Sequence, residues 1–312
     1  MLFRSGPLFY LFFNIRLFFL LLTKNADVLI ANDLDTLLPN YLVSKWKGIK
    51  LIYDSHEIFT EVPELQNEKF KKKVWETIER WIVPKLKYCI TVNKSIADFF
   101  YAKYGTRFHV IRNIPDQQFT TEKIKSRKEL NLPEEKKIII LQGSGINVER
   151  GAEELVSGMQ FLSDEYLLLI IGGGDVISKL KKMSAHFNLS NKIFFMDKLS
   201  PKQLFHYTSN SDLGVTLDKD TNLNYRFSLP NKIFDYINAG VPVLASTLPE
   251  IENLILKFNI GAFIYNHQPE HIASKIKETI TSTEYRIWKD NTNEAKKINN
   301  WSNEKKEWDK II

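Results

Sequence analysis

The sequence has very little cysteine, since Cys89 is the single thiol in 312 residues. One thiol cannot form an internal disulfide, and no other metal-ligating side chains cluster around it. Cys89 lies in the apolar run YCITV, which favours a small buried core residue. A disulfide scaffold and a cysteine-based metal site are therefore excluded, and the composition is compatible with a reducing cytoplasm.

Signatures of nucleic-acid binding are also missing. The sequence has no helix-turn-helix, zinc-finger or aromatic RNA-binding pattern, although its net charge is +6. A positive charge of this size also suits an anionic substrate or an anionic membrane. We therefore expect no nucleic-acid partner.

No uninterrupted run of about 20 apolar residues, the length that crosses a bilayer, occurs in the chain. The most apolar segment spans residues 7–22 and is interrupted by Asn14 and Arg16. We interpret it as a helix that is buried or adsorbed to a membrane. A signal peptide or anchor is the alternative, but the following TKNAD offers no convincing small-x-small cleavage site.

Apolar strand-like runs alternate with helical patterns along the whole chain, which predicts βαβ units and parallel sheets. In the first half, helices are expected near 37–47, 68–83 and 94–104, and strands at 27–32, 50–55, 88–93 and 108–113. In the second half, strands are expected at 137–142, 166–171, 192–197, 212–217, 241–246 and 261–266. We predict a first domain at 1–115, a polar linker at 116–136, a doubly wound domain at 137–282 and charged helices at 283–312.

The most informative segment is SLPNKIFDYINAGVPVLAS, residues 228–246. Its pattern predicts a helix that begins near Pro230 and Lys232, ends at Gly240 and is followed by a strand. A cation and backbone N–H groups near a helix N-terminus suit a phosphate, and an acid further along, Asp235, suits ribose hydroxyls. Together they indicate a nucleoside diphosphate at the C-terminal edge of a parallel sheet.

This segment resembles the donor-site signature P-x-K-x-x-E/D-Y-x-x-x-G-x-P-V of the retaining, nucleotide-sugar-dependent glycosyltransferases of family four (group 1). Other stretches resemble the same family in the same order, namely DVLIANDLDTLLP, KLIYDSHE, YCITVNKSIADFF, QGSGINVERGAEEL and YLLLIIGGGD. The resemblance implies an α/β protein of the GT-B fold, with two Rossmann-like domains facing a cleft and final helices that pack back toward the first domain.

The resemblance also implies an activity of the hexosyltransferase type in cell-envelope polysaccharide synthesis. A sugar would pass, with retention at the anomeric carbon, from a nucleoside diphosphate sugar to a glycan or lipid-linked acceptor. No cofactor or metal is expected, because two basic residues and a helix N-terminus take the metal's place in this family. The expected location is the cytoplasm, with peripheral contact at the inner face of the membrane as an option.

Individual residues acquire roles from the same resemblance. Arg150 and Lys232 would stabilise charge on the departing diphosphate, and His56 would hydrogen-bond near the donor sugar. Asp235 would bind ribose, whereas Phe227 stands where the family has the first acid of its E-x7-E motif. The other expected donor-binding residues are Gly143, Ser144, Gly145, Gly173, Gly174, Pro230 and Asn231.

Several of these patterns have other interpretations. GGGD (172–175) lacks the third glycine of a dinucleotide fingerprint, since Ile177 is there, so we expect these glycines to approach the base or ribose or to form a tight turn. Asp33 and Asp35 spell D-x-D without further acids or histidines nearby; they would line the acceptor cleft, or Asp35 would cap a helix. The stretch 69–82 predicts a core-facing stripe with a basic end, or a membrane-surface patch.

The first domain is short for this family, because few residues precede the DVLIAND strand. Its roughly 115 residues compare with a typical ~170, so we expect a domain that lacks its first βα units. Two alternative functions stay open. One is a non-catalytic nucleotide-sugar-binding fragment or subunit, and the other is a nucleotide-sugar epimerase of the same fold.

Overall fold

The computed structural model describes residues 6–115 and 123–311, which form two compact units. The N-terminal unit contains the chain up to Arg112, together with residues 222–228 and 305 onward. The C-terminal unit contains the described residues of 113–221 and residues 229–304. The sequence placed the boundary after residue 115, whereas the chain divides after Arg112. Part of the expected linker, residues 116–122, lies outside the described residues.

The N-terminal unit is built on a four-stranded parallel sheet in the order β1-β2-β3-β4. Its strands are Val28–Asn32 (β1), Lys50–Ser55 (β2), Tyr88–Thr91 (β3) and His109–Val110 (β4). The helices before and between them are Pro7–Thr23 (α1), Leu34–Lys47 (α2), Pro63–Gln66 (α3), Lys69–Ile82 (α4) and Lys94–Tyr104 (α5). Local sequence sets the ends of α5, because Asn93 accepts the Ile96 N–H at 2.9 Å and Gly105 adopts a left-handed φ of 70°.

Apolar side chains cover both faces of this sheet. On one face α1, α2 and α4 pack over a single core whose members include Leu34, Leu37, Trp75 and Ile82. On the other face the core consists of Ile52, Ile90, Ile111 and Ile311. The Lys50 ammonium also hydrogen-bonds the Ile311 carbonyl. The end of the chain therefore contributes to the core of the N-terminal unit.

The C-terminal unit has a six-stranded parallel sheet in the order β10-β9-β8-β5-β6-β7. Its strands are Lys137–Gly143 (β5), Tyr166–Gly172 (β6), Ile193–Met196 (β7), Leu213–Thr216 (β8), Val243–Ser246 (β9) and Gly261–Ile264 (β10). The helices of the second half are Ala152–Gly158 (α6), Ile177–His186 (α7), Pro201–Ser209 (α8), Leu223–Arg226 (α9), Lys232–Ala239 (α10), Pro249–Phe258 (α11), Pro269–Thr281 (α12), Tyr285–Ile298 (α13) and Trp301–Trp308 (α14). The strand order reverses between β5 and β8, so a crevice opens outside their carboxyl ends.

The predicted α/β class with two parallel sheets is confirmed, and each predicted strand is present, although most are shorter. The expected strand 108–113 keeps only His109–Val110, which pairs with β3 over two residues. The expected strand 241–246 begins at Val243, because Pro242 has no N–H to donate. Among the helices within 6–115 and 123–311, none combines the length and apolar character needed to cross a membrane.

Candidate functional site

The carboxyl ends of β5 and β8 lie side by side at the switch point of the C-terminal sheet. Tyr236 holds α10 against both strands, since its hydroxyl lies 3.1 Å from the Ile140 carbonyl and 3.0 Å from that of Val215. The Tyr236 ring also explains why residue 214 is a glycine, since a Cβ added there would lie 2.5 Å from the ring. The tyrosine of the sequence motif therefore fixes the start of α10 at the crevice.

The loop after β5 passes close to the Lys232 side chain. A Cβ built on Gly143 would lie 4.0 Å from Lys232 Cε, and Gly143 itself has φ +152°. Ser144 and Gly145 follow it and are exposed. Pro230 and Asn231 form the first turn of α10, since their carbonyls accept the N–H groups of Ile233 at 3.1 Å and Phe234 at 3.0 Å.

The triple glycine that begins at the last residue of β6 allows close contact with the end of β5 and the loop after it. A Cβ on Gly172 would overlap the Gly143 carbonyl, and one on Gly174 would overlap the Ile146 carbonyl. The Gly173 N–H donates to Gly143 O at 3.1 Å, and the Ile146 N–H donates to Gly173 O at 2.9 Å. For Gly173, no described atom lies within 4 Å of an added Cβ. Close packing thus requires Gly172 and Gly174, whereas Gly173 faces open space.

Arg150 is fixed by an acid that the sequence patterns did not single out. Its Nη1 lies 3.0 Å from Asp218 Oδ1, and Asp218 is fully buried. Thr216 Oγ1 donates to the other oxygen of Asp218 at 2.9 Å. Gly151 allows this approach, because an added Cβ would overlap the Leu217 carbonyl. The sequence contains one feature that could have indicated this role: Asp218 follows directly after an apolar predicted strand, at the C-terminal edge of the sheet.

Lys232 is the second cation of this site, and it is buried, with 8% of its surface exposed. Burial lowers the pKa of Lys232, and the nearby Arg150 charge lowers it further, whereas Asp218 raises it. Arg150, Lys232 and Asp218 therefore form one electrostatic group of two basic residues and one acid. Such a group attracts an anion, because its positive charges outnumber its negative charge when Lys232 is protonated.

Asp235 lies on the same helix but faces a different partner. The Gln142 amide donates to Asp235 Oδ2 at 3.0 Å, and Thr208 Oγ1 donates to Gln142 Oε1 at 2.7 Å. Burial raises the pKa of Asp235 to about 6, and the Gln142 bond opposes that rise. The helical ion pair with Lys232 that the spacing allowed is not formed in the part of the chain that the structure describes.

In the N-terminal unit, His56 lies at the carboxyl end of β2 with two acids. Its Nε2 is 3.2 Å from Asp54 Oδ2, and this bond raises the pKa of His56. Asp33, which follows β1, accepts the His56 N–H at 2.9 Å and donates its own N–H to Asp54 O at 2.8 Å. Asp33 has φ 57° and ψ 170°, a strained conformation for a residue with a side chain. These contacts hold the His56 loop in place.

Residues 222–228 belong to the N-terminal unit, although they precede α10 in the chain. Asn224 accepts the Ile58 N–H at 3.1 Å and donates to Glu57 Oε2 at 3.0 Å. The Phe227 carbonyl accepts from Asn93 Nδ2 at 2.7 Å, and its ring packs on the core of the unit. The position of the family's missing acid is therefore occupied by a residue that packs on a core. The contacts of Asn93 with Phe227 and of Asn224 with Ile58 and Glu57 could not be recognised in the sequence, because each joins residues far apart along the chain.

Within residues 6–115 and 123–311, no three histidine, cysteine, aspartate or glutamate side chains come together as a potential metal site. Asp33 and Asp35 lie in the N-terminal unit, and Arg150 and Lys232 lie in the C-terminal unit. The structure thus brings Arg150, Lys232 and Asp235 to one sheet edge and His56 to another.

Known proteins share both the sequence pattern and the architecture of this chain. The chain is 23% identical over 96% of its length to an uncharacterized glycosyltransferase of Methanocaldococcus jannaschii, of which it covers 79%. Its structure resembles HepE of Anabaena in complex with UDP and glucose, with a TM-score of 0.75, 16% identity, and coverage of 98% of this chain and 82% of HepE. It also resembles WaaG, a glycosyltransferase involved in lipopolysaccharide biosynthesis, with a TM-score of 0.69, 15% identity, and coverage of 99% and 97%.

Two family descriptions match along the chain. Residues 1–118 match the glycosyltransferase family 4 domain, and residues 122–298 match the domain of glycosyl transferases group 1. The shortened first domain stays a prediction. Since the second match alone spans more than half of the chain and the structural likeness is to GT-B enzymes, the protein belongs to the group 1 glycosyltransferases and has the GT-B fold.

Proposed function

We propose that this glycosyltransferase moves a sugar from a nucleoside diphosphate sugar to a glycan or lipid-linked acceptor, with retention at the anomeric carbon. The observation that carries the proposal is the group formed by Arg150, Lys232 and Asp218 at the switch point of the C-terminal sheet. A diphosphate would supply negative charge to this group. The likeness to HepE, whose structure contains UDP and glucose, supports a uridine nucleotide as the first donor to test.

The leaving group would be stabilised by the protein's own cations. Arg150 is held in one orientation by Asp218, and Lys232 lies beside the glycine loop, so little reorganisation is needed when charge develops. We propose a metal-free, cofactor-free reaction on this basis. The exposed Ser144 and Gly145, the turn at Gly173, and the first turn of α10 at Pro230 and Asn231 would contact the donor.

The remaining site residues would act on the sugar and the ribose. Asp235, oriented by Gln142, would accept hydrogen bonds from ribose hydroxyls. His56, oriented by Asp54 and Asp33, would donate a hydrogen bond near the sugar rather than act as a nucleophile. Retention would follow if the acceptor hydroxyl attacks the anomeric carbon on the face that the phosphate leaves, and the departing phosphate takes the hydroxyl's proton.

For the acceptor we propose a glycan or lipid-linked glycan of the cell envelope, made on the cytoplasmic side. Support comes from the likeness to WaaG, a glycosyltransferase that takes part in lipopolysaccharide biosynthesis. The buried single cysteine, Cys89, is compatible with the cytoplasm.

The test is a donor screen on the full chain with UDP- and GDP-sugars, with and without a cell-envelope lipid extract. We expect release of nucleoside diphosphate that depends on the acceptor, and an α-anomeric proton signal in the product of an α-linked donor. Conversion of the donor sugar without acceptor would favour an epimerase. Nucleotide binding by calorimetry without turnover of any donor would favour a binding subunit.

A further inference from the structure

Helix α1 is apolar on its outer side as well as its inner side. Its inner side chains, among them Tyr10, Phe18 and Leu21, pack on the core of the N-terminal unit. Its outer side chains recur every three or four residues and are each at least 45% exposed, namely Leu8, Leu11, Phe12, Ile15 and Phe19. The helix contains no acid, and Arg16 is its one cation. A row of large apolar side chains on a helix surface indicates a contact site.

Helix α4 turns a mixed aromatic and basic face outward. The residues that pack inward are Trp75, Glu79 and Ile82, whereas the stripe that the sequence predicted to face the core is exposed at Phe70 and Val74. The bulky Trp75 takes the inner position and contacts Tyr10 and Phe59. The exposed residues of α4 include no acid and are Lys69, Phe70, Lys73, Val74, Thr77, Arg80 and Trp81.

These two helices and α2 form one layer. The ring centroids of Tyr10 and Trp75 are 5.3 Å apart, which joins α1 to α4. The rings of Tyr41 and Trp81 are 5.8 Å apart, which joins α2 to α4. All three helices pack on the same core, so their exposed faces point away from that core together. Trp46, on α2, is 77% exposed in this layer.

We propose that this layer docks onto the surface of an anionic lipid bilayer. The docking surface is the outer face of three helices, defined by Leu11, Phe12, Ile15, Phe19, Trp46, Phe70, Val74 and Trp81 with the cations Arg16, Lys69, Lys73 and Arg80. Its charge complements anionic headgroups, since α1 has no acid and the two acids of α4, Glu76 and Glu79, are half-buried and buried.

The chemistry favours a bilayer over a protein partner. Long basic side chains lie among aromatic ones, as where Lys85 Nζ lies 5.0 Å from the Trp81 ring centroid. This arrangement lets the apolar part enter the headgroup boundary while the charges stay at the level of the phosphates. The helices would lie in the plane of the interface. The inference goes beyond the proposed reaction and does not depend on the identity of the donor.

The test is vesicle flotation of the full chain with two lipid compositions. One vesicle contains phosphatidylcholine alone, and the other contains one part phosphatidylglycerol to about two of phosphatidylcholine. We expect binding to the anionic vesicles that decreases with salt, because surface charge attraction is screened. The variant Phe19→Ser/Trp46→Ser/Phe70→Ser should bind about tenfold more weakly or worse. Its circular dichroism should be unchanged, since these side chains are 62%, 77% and 76% exposed.

Matched controls come from the C-terminal unit. Leu256→Ser removes a side chain that is 63% exposed, and Lys289→Glu reverses an exposed charge; neither should change flotation. Lys69→Glu/Lys73→Glu leaves every core side chain in place and should weaken binding to anionic vesicles by about tenfold.

Three outcomes would overturn the proposal. They are no binding to anionic vesicles, equal binding of the wild type and both surface variants, and a wild-type dimer in light scattering that the triple-serine variant converts to monomer. The last result would show that a second copy covers the surface.

Discussion

The two units place side chains of opposite charge at the same position of their folds. Each places polar residues at the carboxyl edge of a parallel sheet, but the C-terminal unit gathers the cations Arg150 and Lys232 around one acid. The N-terminal unit gathers the acids Asp33 and Asp54 around His56. The comparison teaches that the same fold element is specialised by the charges that are placed at its carboxyl edge.

A second difference lies in how the loops are held. In the C-terminal unit, glycines at 172, 174 and 151 let backbones touch, so the site rests on close packing. In the N-terminal unit, Asp33 is held in a strained conformation by hydrogen bonds to the His56 loop. The first site tolerates no added side chain at those glycines, and the second depends on polar contacts that single substitutions remove.

Removal of Lys232, in the C-terminal unit, should have the largest effect on activity. We expect Lys232→Ala to lower kcat/KM by about 100- to 1000-fold, the usual scale for losing one donor to a developing anion. UDP affinity should also fall in calorimetry. The matched control is Lys296→Ala, which removes a partly buried lysine of the same unit that donates to Asn238 O at 3.0 Å. Equal losses in the two variants would make Lys232 a structural residue.

His56→Ala should lower kcat by about 100-fold, a modest value for a positioned proton-donating side chain. UDP affinity should change less than twofold, because the cations that we propose to bind phosphate belong to the C-terminal unit. The pH profile sharpens this prediction. Since the Asp54 bond raises the pKa of His56, protonated His56 persists to higher pH and activity should be lost as pH rises through that pKa. Asp54→Asn should move this limb to lower pH; an unmoved limb would assign it to another group.

Adjacent glycines give a test of close packing. Gly174→Ala should lower the free energy of unfolding by about 2 kcal/mol, because the new Cβ overlaps the Ile146 carbonyl and φ is +157°. Gly173→Ala, one residue away, should change it by less than about 0.5 kcal/mol. Denaturant unfolding measures both. A similar loss at both positions would mean that the two loops do not pack as described.

Asp235 should make stability depend on pH. Its folded pKa, about 6, lies above the ordinary 3.8, so the folded state holds the proton more tightly and stability should fall as pH rises from about 4 to 6. Asp235→Asn removes this titration. The variant should therefore gain roughly 1–2 kcal/mol relative to the wild type between pH 4.5 and 7.5, measured by urea unfolding. Parallel pH curves for the two proteins would contradict the assignment.

The smallest expected effect concerns Asp218. Asp218→Asn keeps the shape but loses the charge that orients Arg150, so kcat should fall about tenfold, or about 1.4 kcal/mol. UDP affinity should hold or improve, because one negative charge leaves the proposed phosphate site. Asp212→Asn is the control, since Asp212 pairs with Arg127 at 2.8 Å elsewhere in the same unit. Weaker UDP binding in Asp218→Asn alone would show that UDP binding requires Asp218, and that its role is not limited to orienting Arg150 for catalysis.

Much of the secondary structure could be predicted from local sequence. The alternation of apolar runs predicts the strands, and the segment 228–246 predicts the helix at Lys232 and the strand at Val243. The pairing of Arg150 with Asp218 could not be predicted, because the two residues are 68 positions apart and meet only when β5 and β8 pair. The role of the glycines at the end of β6 was likewise hidden, since the carbonyls they approach belong to the last residue of β5 and to the loop that follows it.

The sequence by itself determined the βαβ rhythm, the helix start at Lys232 and the family, because these depend on spacing within short segments. Only the tertiary structure decided which charges neutralise each other and where residues 222–228 reside. Phe227 shows the physical reason. Its place in the motif suggests a donor-site residue, yet packing on the N-terminal core and the bond from Asn93 assign it to the other unit. Burial and partner choice are properties of the folded chain as a whole, so no local pattern contains them.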